Sequence, residues 1–208
     1  MTSIGIVYHS GFGHTAALAR AVAEGAAAVP GTSARMVFAE DAAADPAQLD
    51  GFDALVFGCP TYMAGPSAGF KEFIDATSGI WLKQRWKDKI GAGFTNSGGY
   101  SGDKLNTLVQ LMLFAMQHGM VWVGLGLPDG GSSSTSTADN VNRLGSYAGA
   151  MAKSDVDLGI EGIPESDVAT AEALGNRVAL AAHRWRQSGE ASANGCASAP
   201  RVTERGEQ

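Results

Sequence analysis

Ser10-Gly11-Phe12-Gly13-His14-Thr15 forms a turn between two regular patterns. Ahead of it runs a short apolar stretch, Ile4-Gly5-Ile6-Val7-Tyr8, and behind it an Ala-rich helical pattern from Ala16 to Val29. An apolar strand that ends in a small-residue turn and opens directly into a helix makes an anion site. The first amide N–H groups of the helix have no acceptor within it, and the macrodipole puts partial positive charge there. The two glycines let the backbone approach an anion closely. Ser10 and Thr15 add hydroxyl donors. The turn therefore reads as the phosphate loop of a nucleotide-like cofactor.

Working outward, the strand–turn–helix pattern recurs. Residues 4–8 read as a strand and 15–28 as a helix, stopped by Pro30-Gly31. Residues 34–38 make a second strand, and 40–52 an acidic, Ala-rich connection. Residues 54–58 make a third strand, followed by the loop Cys59 to Pro66 and a helix over 66–78 with Phe70, Phe73 and Ile74 on one face. A fourth strand, 89–95, feeds the Gly-rich turn Asn96 to Gly102 and an apolar helix over 104–118. Met120 to Gly124 is a fifth strand. Residues 126–150 are rich in Gly, Ser, Thr and Asn, a loop long enough to be functional. Pro164-Glu165 opens a last helix with Val168, Ala171, Leu174 and Val178 inward. The reading is one domain over 1–187, with a disordered tail over 188–208.

Five strand–helix alternations mean an α/β fold with a parallel sheet between two helical layers. Ligands of such sheets sit beyond the carboxyl ends of the strands. In the order 2-1-3-4-5, strands one, three and four are neighbours. Their three loops then converge on one crevice, which is more specific than any single motif.

The bulk properties agree. The chain has 208 residues, 45% of them hydrophobic and 17% charged, which suits a single globular core. A net charge of -6 argues against a nucleic-acid binder. Two cysteines, Cys59 and Cys196, make no disulfide framework, and Cys59 reads as a buried small hydrophobe. His9 and His14 lack a third ligand at suitable spacing, so no metal is expected. No signal segment and no run of about 18 apolar residues is present, so a soluble cytoplasmic protein is expected.

Each loop has a plainer reading. Gly11-x-Gly13-x-x-Ala16 also fits the dinucleotide fingerprint, with Glu40 at the end of the second strand as the ribose-binding acid. The hydroxyl residues at 10 and 15 and the two further polar loops favour the phosphate-loop reading. Pro60-Thr61-Tyr62-Met63 offers an aromatic ring and amides at a strand end, although Tyr62 could simply pack on the next helix. Asn96 to Gly102 offers N–H groups suited to the edge of a heterocycle, or is an ordinary turn. His118, before Gly119, reads as a helix C-terminal cap or a functional residue.

The residues resemble the flavodoxin-like FMN proteins, and within them the WrbA-type NAD(P)H:quinone oxidoreductases. Tyr8-His9-Ser10-Gly11-Phe12-Gly13-His14-Thr15 carries the aromatic followed by Gly-His of that branch. Phe57-Gly58-Cys59-Pro60-Thr61-Tyr62 is similar to the family's Phe-Gly-x-Pro-Thr-Arg, with Tyr62 in place of Arg. Phe70 to Trp81 and Gln117-His118-Gly119-Met120-Val121 follow the family closely, and the third loop keeps its Gly-rich character in a different order.

The resemblance implies a flavodoxin-like three-layer sandwich with a five-stranded parallel sheet. It implies FMN as cofactor, with its phosphate held by Ser10, Gly11, Phe12, Gly13, His14 and Thr15. The ring would be flanked by Pro60, Thr61, Tyr62 and Met63 and by Asn96, Ser97, Gly98, Gly99, Tyr100 and Ser101. Trp81 and His118 would line the space where NAD(P)H and a quinone-like acceptor bind in turn, His118 hydrogen-bonding a quinone oxygen. A homo-oligomer, dimer or tetramer, is also implied. The alternative is an electron-transfer flavodoxin with no small-molecule substrate of its own.

Overall fold

The computed structural model describes residues 1–195. Seven strands are labelled β1 Thr2–Tyr8, β2 Thr32–Phe38, β3 Ala54–Tyr62, β4 Gly65–Pro66, β5 Ile90–Ser97, β6 Val121–Trp122 and β7 Ala150–Lys153. Six helices are α1 His14–Ala27, α2 Ala39–Ala44, α3 Ala68–Ala76, α4 Ser78–Leu82, α5 Lys104–Gln117 and α6 Glu165–Gly195. Single 3-10 turns at Pro46–Leu49 and Ile160–Gly162 complete the list.

The sheet order is β2-β1-β3-β5-β6, with these five strands parallel. β5 and β6 are the fourth and fifth strands of the sequence reading, so the expected 2-1-3-4-5 order holds. Both faces are covered, which is why β1 and β3 are apolar almost throughout. Ile4, Ile6, Ala54 and Val56 point into one core with Leu18 and Val22 of α1 and Leu174 and Val178 of α6. Val7, Leu55 and Phe57 point into the other with Phe70, Phe73, Trp86 and Phe114. Helices α1 and α6 touch through glycines. A Cβ at Gly25 would lie 2.0 Å from the Glu172 carbonyl, and one at Gly175 would lie 2.0 Å from that of Val22. That close crossing fixes α1, and with it the turn at its N-terminus.

Three expectations are corrected. The fifth strand does not run from Met120 to Gly124. It is broken into β6 and β7, and both halves pair with β5, the first at Ile90–Gly91 and the second from Phe94 to Ser97. The residues between leave the edge as one long insertion. An edge strand has only one neighbour to satisfy, so its ladder tolerates such a break.

The segment 59–66 is not an open loop. β3 continues through Tyr62, turns at Met63 and Ala64, and returns antiparallel as β4. Met63 and Ala64 have φ of 46° and 67°, values that favour Asn-Gly in such hairpins; the sequence lacked that signal. The helix expected over 66–78 is two, α3 and α4, stepping at Thr77.

The last helix continues to Gly195, past residue 187, where the domain is expected to end. The remainder of the expected tail, 196–208, lies outside the described residues. Among the described residues no helix is long and apolar enough to cross a membrane.

Candidate functional site

Register places the three loops side by side. Tyr8 pairs with Gly58, and Gly58 with Phe94; β1 ends at that level, and β3 and β5 run on beside the first turn to Tyr62 and Ser97. Pro60 lies opposite Asn96 on the ladder. The crevice beyond these strand ends, about 240 Å³, is lined by all three loops. Ser10, Gly11, Phe12, His14 and Thr15 come from the first, Pro60, Thr61 and Tyr62 from the second, and Asn96, Ser97 and Gly98 from the third. Ser154 and Val156, just after β7, close the fourth side. Sequence reading missed these two because the second half of the edge strand carried no signal of its own.

The first turn is built for an anion. Gly13 is the residue before α1 and has φ of 90°, a left-handed value that a glycine adopts without strain. Ser10 Oγ accepts from the Gly13 amide at 3.1 Å and from the Ala16 amide at 3.2 Å. A neutral hydroxyl oxygen thus stands where an anion's oxygen would be received. Thr15 Oγ1 donates to Asn96 Oδ1 at 2.6 Å, and the Asn96 amide donates to Ser154 Oγ at 3.1 Å. This buried chain ties α1, β5 and β7 together across the floor of the site.

His14 has another task. Its Nε2 lies 3.0 Å from the Leu158 carbonyl and 2.8 Å from that of Gly159. Both partners are acceptors, so Nε2 carries the proton. The ring pins segment 155–162 against α1, while the His14 amide stays in the first turn of the helix. His14→Ala is expected to cost about 1–2 kcal/mol of stability. It should also speed amide exchange selectively over 155–162, read by hydrogen-exchange mass spectrometry; unchanged exchange there would refute the clamp.

The second loop meets the first at Tyr62, since a Cβ on Gly11 would lie 2.9 Å from the Tyr62 hydroxyl. The phenol stands at the crevice mouth where the family pattern has a cation, and burial raises its pKa, so it is neutral. Thr61 Oγ1 turns away from the mouth and bonds Thr95 and Thr107, each at 2.8 Å. Met63 lies at the hairpin tip, outside the crevice lining. Tyr100 and Ser101 line a neighbouring groove between α5 and the insertion, not the crevice itself. Cys59 is fully buried, and burial pushes its thiol up to about 12, so it is an inert core residue as expected.

His118 and Trp81 do not join the crevice within this chain. α5 begins at the carboxyl end of the sheet and ends at the amino end, where Gly119 accepts from Asp88 just before β5. His118 caps that far end, and with Trp81 it lines a separate small cavity. Thr77 Oγ1 donates to the Ile74 carbonyl and so accepts from His118 Nε2 at 3.0 Å. Among the described residues, His118 Nδ1 is a buried acceptor with no hydrogen-bond partner. Its ring packs on Trp86 and Phe114, and burial pushes its pKa down to about 4, so it is neutral. His118 and Trp81 were expected to line the space above the ring; in this chain they stand at the other end of the sheet from the crevice. The direction of α5, which the sequence reading did not trace to its end, decides it.

Among the described residues, no group of three His, Cys, Asp or Glu side chains could hold a metal ion. Glu40, the ribose-binding acid of the dinucleotide reading, sits 3.6 Å from His9 Nε2 and outside the crevice lining. His9 Nδ1 in turn lies 2.8 Å from Ser67 Oγ.

Residues 30–127 match the family model described as NADPH-dependent FMN reductase. The chain is 41% identical over 179 residues to Flavodoxin FldP of Pseudomonas aeruginosa, covering 86% of this chain and 96% of that protein. It is 32% identical over 207 residues to the NAD(P)H dehydrogenase (quinone) of Archaeoglobus fulgidus, covering 88% and 99%. Its structure resembles that of a WrbA-like flavodoxin from Agrobacterium tumefaciens, with TM-score 0.66, 39% identity, and coverage of 88% and 99%.

Proposed function

The chain belongs to the flavodoxin-like, WrbA-type family, and from that premise we propose that it is an FMN-dependent NAD(P)H:quinone-type oxidoreductase. The observation that carries the reading is the meeting of three strand-end loops at the N-terminus of α1. The residues present fit the cofactor. The amides of the first turn, already gathered on Ser10 Oγ, suit a phosphate, and Gly13 keeps the approach open. Tyr62 on one wall and Ser97 and Gly98 on the other suit a flat ring held by its edge and face. Bound FMN would supply the two-electron chemistry, hydride in from a nicotinamide and two electrons out to a quinone-like acceptor.

The chain's own part is placement. The Thr15–Asn96–Ser154 bonds hold the walls at fixed spacing, and Val156 and Phe12 form an apolar rim. No side chain at the crevice is placed as a nucleophile. FMN-loaded protein is expected to consume NADH or NADPH with benzoquinone by ping-pong kinetics. Loaded protein that turns over neither nicotinamide would remove the enzyme reading.

One observation favours electron transfer between proteins as a second reading. Phe12, Met63 and Val156 are 79%, 102% and 81% exposed around the crevice, an apolar surface that a protein partner would cover. Loaded protein inert to nicotinamides but reduced by a flavoprotein reductase would decide for it.

A further inference from the structure

Lys104 opens α5 and is wholly buried. Its ammonium donates to Ser97 Oγ at 3.0 Å, to the Gly99 carbonyl at 2.6 Å and to the Tyr100 carbonyl at 2.9 Å. Three donors are all an ammonium has, and all three go to the third loop. Nothing in helix energetics recommends a cation there. The first position of a helix lies at the positive end of its dipole, where acidic side chains are favoured. Burial adds a desolvation cost. A local rule broken twice at one residue, beside a ligand crevice, is where function is expected to compensate.

The geometry says what the compensation is. Peptide units are planar and trans, so a C=O turned one way points its N–H the other. By drawing the carbonyls of Gly99 and Tyr100 toward itself, the ammonium fixes the two peptide planes that follow Gly98, a crevice residue, with the Tyr100 and Ser101 amides facing away from the charge. Its charge also lies one hydrogen bond behind Ser97, a crevice wall.

The groups facing it come from three elements. Asp167 on α6 favours the charged form, Arg143 of the insertion opposes it, and Lys153 on β7 stands 5.8 Å from the Tyr100 ring. Desolvation brings the Lys104 pKa down to about 8, so the group is charged at neutral pH and discharges within a range open to measurement.

We propose that Lys104 is a positioning residue of the cofactor site: it holds the third loop in place behind Ser97 and Gly98, and its charge favours the reduced, more negative state of a flavin in the crevice. This rests on the FMN reading above. A cation that stabilises the reduced state is itself stabilised there, so Lys104 keeps its proton to higher pH after reduction. Between the two pKa values each reduction takes up one proton more.

The test is a dithionite titration of the FMN-loaded full chain against reference dyes from pH 6.5 to 9.5. The wild-type midpoint potential is expected to fall more steeply with pH above about 8. Lys104→Met, without charge or donors, and Lys104→Gln, which keeps donors, should both lack that steepening. Both should bind reduced FMN about tenfold more weakly relative to oxidised FMN, a drop of about 30 mV for two electrons.

A wild-type profile with no change of slope overturns the charge claim without any variant. Tight FMN binding with one potential and one profile shared by wild type and Lys104→Gln overturns this inference alone. Failure of the wild type to bind FMN overturns both this inference and the reading beneath it.

Discussion

Gly13→Asp is expected to weaken FMN binding by at least about a hundredfold, near 2.7 kcal/mol, and to leave the fold standing. The two halves of that expectation have separate grounds. Gly13 has φ of 90°, and a Cβ built there meets only Ile160 Cγ2 at 3.9 Å, an ordinary contact. Asp is among the few residues that tolerate a left-handed backbone, so the strain is roughly 1 kcal/mol.

The charge is another matter. A carboxylate at this position occupies the N-terminus of α1, the same partial positive charge that a phosphate would seek. Two like charges in one small site repel strongly once water is excluded. Gly13→Asn supplies the control, since it has the same shape and backbone tolerance without the charge, and only a several-fold loss is expected. Riboflavin, which lacks the phosphate, should bind the Asp variant and the wild type alike. Fluorescence quenching titrations read all five combinations. Equal FMN affinity in wild type and Gly13→Asp would place the anion elsewhere.

That turn was legible because each of its requirements leaves a trace in sequence. An apolar strand, two glycines and an Ala-rich helix are local patterns, and they predicted the turn whose Ser10, Gly11, Phe12, His14 and Thr15 line one wall of the crevice. The same local signals gave the parallel sheet between two helical layers, and the strand order came with the flavodoxin-like fold that the residues resemble. What sequence could not carry was the use of each side chain. Ser10 and Thr15 were read as donors to a ligand, yet Ser10 Oγ accepts two amides and Thr15 Oγ1 donates to Asn96, across 81 positions of sequence.

His14 was read with the phosphate loop and does line the crevice, and its ring has the further task of clamping a segment near Leu158. His118 illustrates the same limit at larger scale. Its neighbours in sequence are familiar, but a helix fourteen residues long carries it to the opposite end of the sheet. Lys104 and Asp167 were passed over because a buried charge looks, in sequence, like any other surface charge.

Asp167 carries the second large effect. Its carboxylate takes both arms of Arg143, at 2.8 and 2.7 Å, and accepts the Lys153 amide at 2.9 Å. The side chains are 1% and 9% exposed. One carboxylate at the start of α6 therefore anchors the insertion, β7 and the helix itself. Asp167→Ala would leave Arg143 buried and unpaired, a cost of about 3–5 kcal/mol. That is a large share of the 5–15 kcal/mol that typically holds a domain together.

Arg143→Ala should cost less, because Asp167 keeps the Lys153 amide and a favourable place in the first turn of α6. The double variant should be more stable than the two single losses predict, as no stranded charge remains. Urea unfolding of the four proteins gives the coupling directly. Limited proteolysis should show Asp167→Ala cut first between β6 and β7, because that segment loses its tie to the helix before the parallel sheet opens. A loss under about 1 kcal/mol, with no new cleavage there, would mean that the edge of the crevice is held by β7's pairing with β5 and that the ion pair only rides on it.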